Sequence, residues 1–523
     1  MTDEVQAETR APGEPEAPER ETAPTAGRLG AAGEDGEDGI PAVLAVDLDG
    51  TLLRIDSLHE SAFALAARDG PRGVLTVLSI LLRRGLGRAA VKADLAARII
   101  PDPARLPYRD SVLQRLRDAR AEGRRTVLIT AADQRVAQAV ADHLGLFDEV
   151  HGSDGALNLS GEEKAALLTE RYGPQGFDYI ADATGDLPVW AAARRSATAG
   201  ARRGARRALD RACAAEGLPP PEHMDPRPRG PGAVWPYFRA LRPHQWVKNT
   251  LVFLPMLSWH SLAADHVQAV TTAALAFCMV ASGAYVINDL LDLSADRAHP
   301  RKRFRPFAAG EVPALQGVVM GVALLAAGLA TAYSVNALTF GITTLYFGST
   351  LLYSLVLKRE LVIDICTLAG LYALRMLAGG AAIGWYLSPW MLALSVFLFL
   401  SLAAMKRQTE LVDAAATGRS GAAGRAYEPA DLVVVTMMAI AAGYVSVLVL
   451  ALYIYSPEVQ ALYRSPLILW GIPPILLYWV SRLVMLAHRG RMDDDPVLFA
   501  LKDPISWASG AVILGVAVAA KWL

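Results

Sequence analysis

From Val247 onward the sequence is a succession of apolar runs broken by short charged stretches: 247–262, 266–288, 314–334, 337–357, 361–383, 387–405, 431–453, 466–487 and 506–522. Each approaches the roughly 20 residues that a helix needs to cross a bilayer. An all-α polytopic bundle of about nine transmembrane helices is therefore expected over 235–523. Upstream the period changes. Short apolar runs of strand length, Val43 to Val46, Thr126 to Ile129 and Phe177 to Ile180, alternate with amphipathic stretches such as Arg109 to Glu122 and Gln134 to Leu144. That alternation predicts a doubly wound parallel α/β sheet over 41–198. A helical cap, about 56–108, is inserted after the first strand. Its apolar run Gly73 to Leu82 is too short to span, and is expected to rest on the membrane with Arg83 and Arg84 at the headgroups.

Composition fills in the margins of this multidomain plan. Residues 1–40 carry eleven Asp and Glu against three Arg and no apolar run, which predicts a disordered acidic tail. Residues 199–234 join an Arg-rich stretch (Arg202, Arg203, Arg206, Arg207, Arg211) to Pro219-Pro220-Pro221, and are expected to be a linker. That basic stretch reads either as a solvated helix or as one drawn to anionic lipids. The cysteines Cys213, Cys278 and Cys366 have no metal-ligand spacing. The net charge of −1 says nothing about nucleic acid by itself, and no nucleic-acid partner is expected.

Charge then orients the bundle. The loops on one side of the nine runs hold seventeen Lys and Arg, against Arg464 and Lys521 on the other. The positive-inside rule puts the basic side, and the α/β unit with it, in the cytosol, so a multi-pass protein of the cytoplasmic membrane is expected.

The acidic clusters fall on the same side. Asn288-Asp289-Leu290-Leu291-Asp292 runs on to Asp296, with Asp289, Asp292 and Asp296 at i, i+3 and i+7 on one helical face. Carboxylates at a membrane boundary are costly unless they bind a cation. Hard oxygen donors suit Mg²⁺, and Mg²⁺ carries phosphates. A Mg²⁺-diphosphate site at the mouth of the bundle is the expectation, with Asn288 bonding a ligand or orienting a carboxylate. Lys248, Arg305 and Lys358 are candidate phosphate contacts; the alternative for each is a purely topological charge. After the sixth run, Lys406 and Arg407 are candidates to hold a phosphate, and Glu410 a metal ligand or base. Asp364 and Arg375 are expected to pair. Asp493-Asp494-Asp495-Pro496 reads as a helix cap.

In the α/β half, Asp47-Leu48-Asp49-Gly50-Thr51 closes the first strand, where open sheets bind ligands. Two aspartates two apart allow one to attack phosphorus while the other moves a proton. This segment resembles the haloacid dehalogenase-like (HAD) hydrolases, whose first motif is DxDGT. The likeness continues through Ile129-Thr130 at the end of the second strand, Lys164, and Asp182 and Asp186 after the third; Ala181 departs from the family's usual glycine. The resemblance implies Asp47 as nucleophile, Asp49 as acid/base, Thr130 and Lys164 as phosphate ligands. It also implies a Mg²⁺ site drawing on Asp47, Asp49, Asp182 and Asp186.

The membrane half is similar to the UbiA superfamily of intramembrane prenyltransferases, through Asn288–Asp296. The flanking Leu241 to Asn249 and Asp296 to Pro306 are similar to the decaprenyl-phosphate phosphoribosyltransferases. That implies Mg²⁺ at Asp289, Asp292 and Asp296, with a polyprenyl phosphate or isoprenyl lipid and a phosphorylated sugar or aromatic compound as co-substrates. Lys406 to Asp413 lacks the paired aspartates of the superfamily's second motif, which favours a phosphosugar donor. Phosphoribosyl transfer to a polyprenyl phosphate, followed by dephosphorylation in the fused domain, is the leading expectation. The alternatives are prenylation of an aromatic acceptor, and a transporter or receptor with a phosphate-binding regulatory domain.

Overall fold

The computed structural model describes residues 43–82, 87–228, 230–260, 262–418, 425–492 and 495–523. The acidic tail, Arg83, Arg84, Asp493 and Asp494 lie outside the described residues.

Six parallel strands form one sheet in the order β3-β2-β1-β4-β5-β6: β1 Val43–Val46, β2 Arg125–Asp133, β3 Glu149–Ser153, β4 Phe177–Ala181, β5 Arg195–Ala199 and β6 Glu222–Met224. Helices cover both faces, so the central strands are apolar throughout. Leu44 and Val46 point into one core layer with Leu116 and Leu128, and Val43 and Ala45 into the other with Phe177 and Trp190. Val46 lies beside Leu128 and Ile180 in the register, so the residues following β1 and β4 emerge together at one edge of the sheet.

The sheet runs past the expected boundary at 198. The Arg-rich stretch is the helix Arg203–Glu216, which buries Ala205, Leu209 and Cys213 against the sheet, and β6 follows it. An apolar stripe at i, i+4 and i+8 was hidden by the arginines on the other face. The expected linker is therefore mostly fold, and only the segment after Met224 leads away.

The cap consists of α1 Ser57–Asp69, α2 Pro71–Leu82 and α3 Arg88–Arg98. Asp56 starts α1 by accepting from the amides of Leu58 and His59. On α2, Leu75, Leu78, Leu81 and Leu82 are exposed.

Among the described residues, seven helices rather than nine are long and apolar enough to cross a membrane: Ala264–Leu291, Ala314–Val335, Ile363–Ala382, Pro389–Ala416, Pro429–Ile454, Pro466–His488 and Pro504–Trp522. The expected span at 247–262 is instead a tight 3₁₀ segment, Pro243–Phe253, and a short helix, Leu254–Ser258. Pro243 and Pro255, which lack an amide donor, punctuate it. The expected span at 337–357 is a continuous helix, Ala337–Leu355. Its Thr339, Thr343, Thr344, Tyr346 and Ser349 dilute its apolar character below that of the other seven.

The two halves meet along α1. Phe63 packs on the cluster of Leu290, Leu293 and Phe307, and Arg359 Nη2 donates to the Ala67 carbonyl at 3.1 Å. Beside this contact is a cavity of about 710 Å³ whose lining includes Glu60, Ile99, Asp292, Arg297, Lys358 and Arg425.

Candidate functional site

The α/β site forms where β1 and β4 end. Asp47 is 6 % exposed, and its amide donates to the Ile180 carbonyl. Lys164 Nζ lies 2.7 Å from Asp47 Oδ1, 3.1 Å from Asp186 Oδ1 and 3.2 Å from the Tyr179 hydroxyl, which donates to Asp186 at 2.9 Å. Thr51 donates to Asp47 at 3.5 Å. Asp49 turns the other way, accepting from the amide and hydroxyl of Ser57 at 2.8 and 3.0 Å, and so sits against the start of α1. Gly50 has φ +77°, and a Cβ there would stand 2.5 Å from Asp182 Oδ2. Only glycine permits both this conformation and this approach.

Positive charge is short in this pocket. Burial pushes the Asp47 carboxyl up, with Lys164 pulling the other way. Burial, helped by the Asp56 charge, pushes Asp49 up to about 8. Burial and the Asp47 charge push Asp182 up to about 7, and its nearest ion-pair partner is Arg227 at 3.8 Å. Burial works against the Lys164 charge, but Asp47 and Asp186 outweigh it and hold it above the ordinary lysine value.

Thr130 is buried on β2, its hydroxyl accepting from the Ala132 amide at 3.0 Å. The strand continues to Asp133, three residues past the expected end at Thr130, after a register shift against β3.

The membrane site lies at one end of the helix Ala264–Leu291. Asp292 ends that helix, and a short helix, Leu293–Ala298, continues the chain. Asp289 and Asp296 converge on one cation: Arg305 Nη1 is 3.4 Å from Asp289 and 2.6 Å from Asp296. Arg242 also pairs with Asp289, its guanidinium stacked over the Tyr285 ring. Asp292 turns instead to Lys358 at 2.8 Å and to the Asn288 amide at 3.1 Å. Lys248 is buried against Asp495, which caps the helix Pro496–Lys502.

A second ionic group stands nearby. Asp364 is fully buried, 3.0 Å from Arg407 Nε, 3.4 Å from Arg425 and 2.6 Å from the Tyr427 hydroxyl. Glu410 joins Arg407 and lies 3.2 Å from Arg425. Asp364 and Arg375 do not pair. They are eleven residues apart on one helix, a rise of about 16 Å. Arg375 bonds Asn249 at 2.9 Å and the Tyr346 hydroxyl at 2.8 Å.

Among the described residues, no three carboxylate, histidine or cysteine side chains gather into one metal-binding group. The donor chemistry nonetheless fits Mg²⁺ at both places. Asp47 and Asp182 are hard oxygen donors at adjacent strand ends, both destabilised as anions chiefly by burial. Asp289, Asp292 and Asp296 are equally hard donors, their charges here taken up by Arg242, Arg305 and Lys358.

Residues 44–191 match the haloacid dehalogenase-like hydrolase model, and residues 250–501 that of the UbiA prenyltransferase family. A Sinorhizobium fredii protein designated y4nM is 37% identical over 472 residues, covering 90% of this chain and 89% of its own length. The chain belongs to the UbiA prenyltransferase family, with a HAD-like domain at its N-terminal side. The decaprenyl-phosphate phosphoribosyltransferase of Mycolicibacterium smegmatis is 39% identical over 185 residues, 34% of this chain and 58% of that protein. A solved UbiA homolog from Archaeoglobus fulgidus, bound to GPP and Mg²⁺, shares 18% identity and covers 54% of this chain and 99% of its own, with a TM-score of 0.42.

Within this UbiA-family protein the structure brings Asp47, Lys164 and Asp186 together, with Asp182 beside Gly50, while Asp49 faces the cap. It gathers Asp289, Asp296 and Arg305 at the bundle mouth and sets Asp292, Asn288 and Lys358 beside them. Lys248 and Arg407 are each committed to a carboxylate. Sequence reasoning missed Arg242, although it stands in the quoted Leu241–Asn249 stretch. It also missed Lys92, which reaches from α3 to the Ala131 carbonyl at 2.6 Å, and Arg109, which holds the Gly50 carbonyl at 3.1 Å. Neither lies in a motif, so only tertiary structure brings them in.

Proposed function

We propose that the UbiA-family half transfers a phosphoribosyl group from phosphoribosyl diphosphate to a polyprenyl phosphate, and that the HAD-like half removes the 5-phosphate from the lipid product. Both reactions are read as taking place on the cytosolic face of the cytoplasmic membrane. The observation that carries this reading is the pairing at the bundle mouth: each acidic side chain is answered by a cation that can turn to a phosphate once the carboxylates take another partner. The resemblance to phosphoribosyltransferases over 185 residues supports the phosphosugar donor, as does a basic Lys406-Arg407 where paired aspartates stand in other superfamily members.

In the first reaction an oxygen of the lipid phosphate attacks the anomeric carbon. The bond from that carbon to the diphosphate oxygen breaks, and its electron pair leaves with pyrophosphate. Bound Mg²⁺ held by Asp289, Asp292 and Asp296 would neutralise the departing diphosphate. Arg305, Arg242 and Lys358 orient the diphosphate and share its charge.

In the second reaction the Asp47 carboxylate attacks phosphorus and the ribose oxygen departs. Asp49, with its pKa pushed up to about 8, holds a proton at neutral pH and gives it to that oxygen. It then takes a proton from the water that hydrolyses the aspartyl phosphate. Lys164 screens Asp47 and Asp186 from each other and aligns the nucleophile.

Purified full-length protein supplied with polyprenyl phosphate and radiolabelled phosphoribosyl diphosphate tests the reading. Label should enter the lipid fraction without its 5-phosphate. Inertness toward this pair, together with transfer from an isoprenyl diphosphate to an aromatic acceptor, would sink it.

A further inference from the structure

Glu60 belongs to the cap of the HAD-like half, yet its carboxylate serves the other half. It sits in the first turn of α1, and both of its oxygens meet the Arg297 guanidinium, at 2.6 and 3.0 Å. Both side chains are 5 % exposed. Such a pair contributes little net stability, but removing one partner strands a buried charge.

Arg297 immediately follows Asp296. Its third donor, Nε, holds the Ala308 carbonyl at 2.9 Å. That bond closes the loop between them, and this loop supplies Arg305 to Asp289 and Asp296. The far end of the loop rests on the HAD-like half. Gly310 has φ +69°, and a Cβ there would stand 2.8 Å from Arg54 Cβ.

We propose that Glu60 is a positioning residue for the transferase site. It neutralises Arg297 and fixes its planar fork, so that Nε clamps Ala308 and Asp296 is left to Arg305 and to the cation that would carry the diphosphate. Without Glu60 a buried guanidinium is unpaired in the very turn that carries Asp296, and its hold on the Arg305 loop loosens. A residue of one enzymatic unit thus completes the site of the other. This rests on the reading of Asp289–Asp296 as a metal-diphosphate site.

The test uses the full chain in detergent and measures Mg²⁺-dependent binding of inorganic pyrophosphate by calorimetry. Asp289→Asn serves as the control that removes the membrane site. Hydrolysis of a small soluble phosphate ester and the thermal unfolding temperature are measured alongside. Glu60→Gln should weaken pyrophosphate binding about tenfold or more, the usual scale for a residue that orients metal ligands. Glu60→Asp, which keeps the charge, should recover part of the loss. Ester hydrolysis should stay within about twofold of wild type, since Glu60 touches none of its groups.

Pyrophosphate binding by Glu60→Gln equal to wild type overturns the proposal. So does a joint loss of pyrophosphate binding, ester hydrolysis and unfolding temperature, because that marks a contact that only holds the halves together. If Glu60→Gln does not fold, Glu60→Asp alone decides, by weakened or unchanged pyrophosphate binding with hydrolysis intact. A wild-type protein that binds no pyrophosphate at the Asp289-dependent site overturns the diphosphate reading itself, an outcome distinct from the others.

Discussion

The two acidic sites solve the same electrostatic problem in opposite ways. In the HAD-like half one lysine serves both Asp47 and Asp186, while Asp182 is paired with Arg227 at 3.8 Å and Asp49 is held by a serine. In the UbiA half, Asp289, Asp292 and Asp296 share two arginines and a lysine. In the first pocket burial raises Asp47, Asp49 and Asp182, and among the described residues its four carboxylates have two cations, Lys164 and Arg227, within ion-pair reach. The second is balanced, and under the proposed transfer its cations would turn to the diphosphate. A site that attacks a phosphate needs a free anion and a proton donor. A site that expels a diphosphate needs spare cations.

Removing the nucleophile breaks the comparison most sharply. Asp47→Asn should lower phosphate-ester hydrolysis by more than about 10³-fold, because no other group can form the covalent link. Lipid transfer should be untouched, and mass spectrometry of the lipid fraction should show the 5-phosphorylated product accumulating. If that lipid does not accumulate, the two halves do not act in sequence.

Next in size is Asp289→Asn, expected to lower transfer by about 10²–10³-fold with hydrolysis unchanged. It deletes the carboxylate that two arginines share. Lys358→Ala removes one cation of the balanced set and should raise the KM for the diphosphate substrate about tenfold, with a smaller change in kcat. An effect confined to kcat would separate Lys358 from substrate binding.

The smallest effect is read in the first pocket, by pH. Asp182 and Asp49 titrate near 7 and 8 in the folded protein, above the usual carboxylate range. The folded state therefore holds protons that the unfolded state has already released. Stability is unpenalised below about pH 4 and is lost as pH rises through about 7 to 8. In EDTA the unfolding temperature of the HAD-like half should fall by at least about 2–4 °C between pH 5 and 8.5, the shift that each kcal/mol of this linkage brings. Mg²⁺ should restore it more at pH 8.5 than at pH 5, which differential scanning fluorimetry on the full chain can follow.

Much of this was legible in the sequence because the informative contacts are local. Asp47 to Thr51 lie in one turn, and Asn288 to Asp296 in about two and a half turns across two abutting helices, so a motif nearly specifies a geometry. What escaped depends on distant partners. Nothing near Glu60 announces Arg297, 237 positions later, and nothing near Arg242 announces Asp289. Spacing placed Asp292 on the metal face, but the helix ends there and its carboxylate turns to Lys358. The boundary at 198 failed because composition outweighed period: five arginines masked the stripe of Ala205, Leu209 and Cys213. The count of nine spans is not confirmed at two places: 247–262 is a broken segment, and 337–357 is a continuous helix less apolar than the seven.

The placement of β6 has a practical consequence for taking the protein apart. The chain leaves the HAD-like half through this edge strand, and Arg227 just beyond it bonds the Gly200 carbonyl at 2.7 Å and faces Asp182. A truncation at residue 198 would strip the outermost strand, bare the side of β5 that β6 now pairs, and discard a cation from the pocket. An unpaired edge of that kind recruits other chains and precipitates. A soluble fragment worth crystallising must therefore keep the chain through Arg227, the last few residues before the polypeptide turns toward the bilayer.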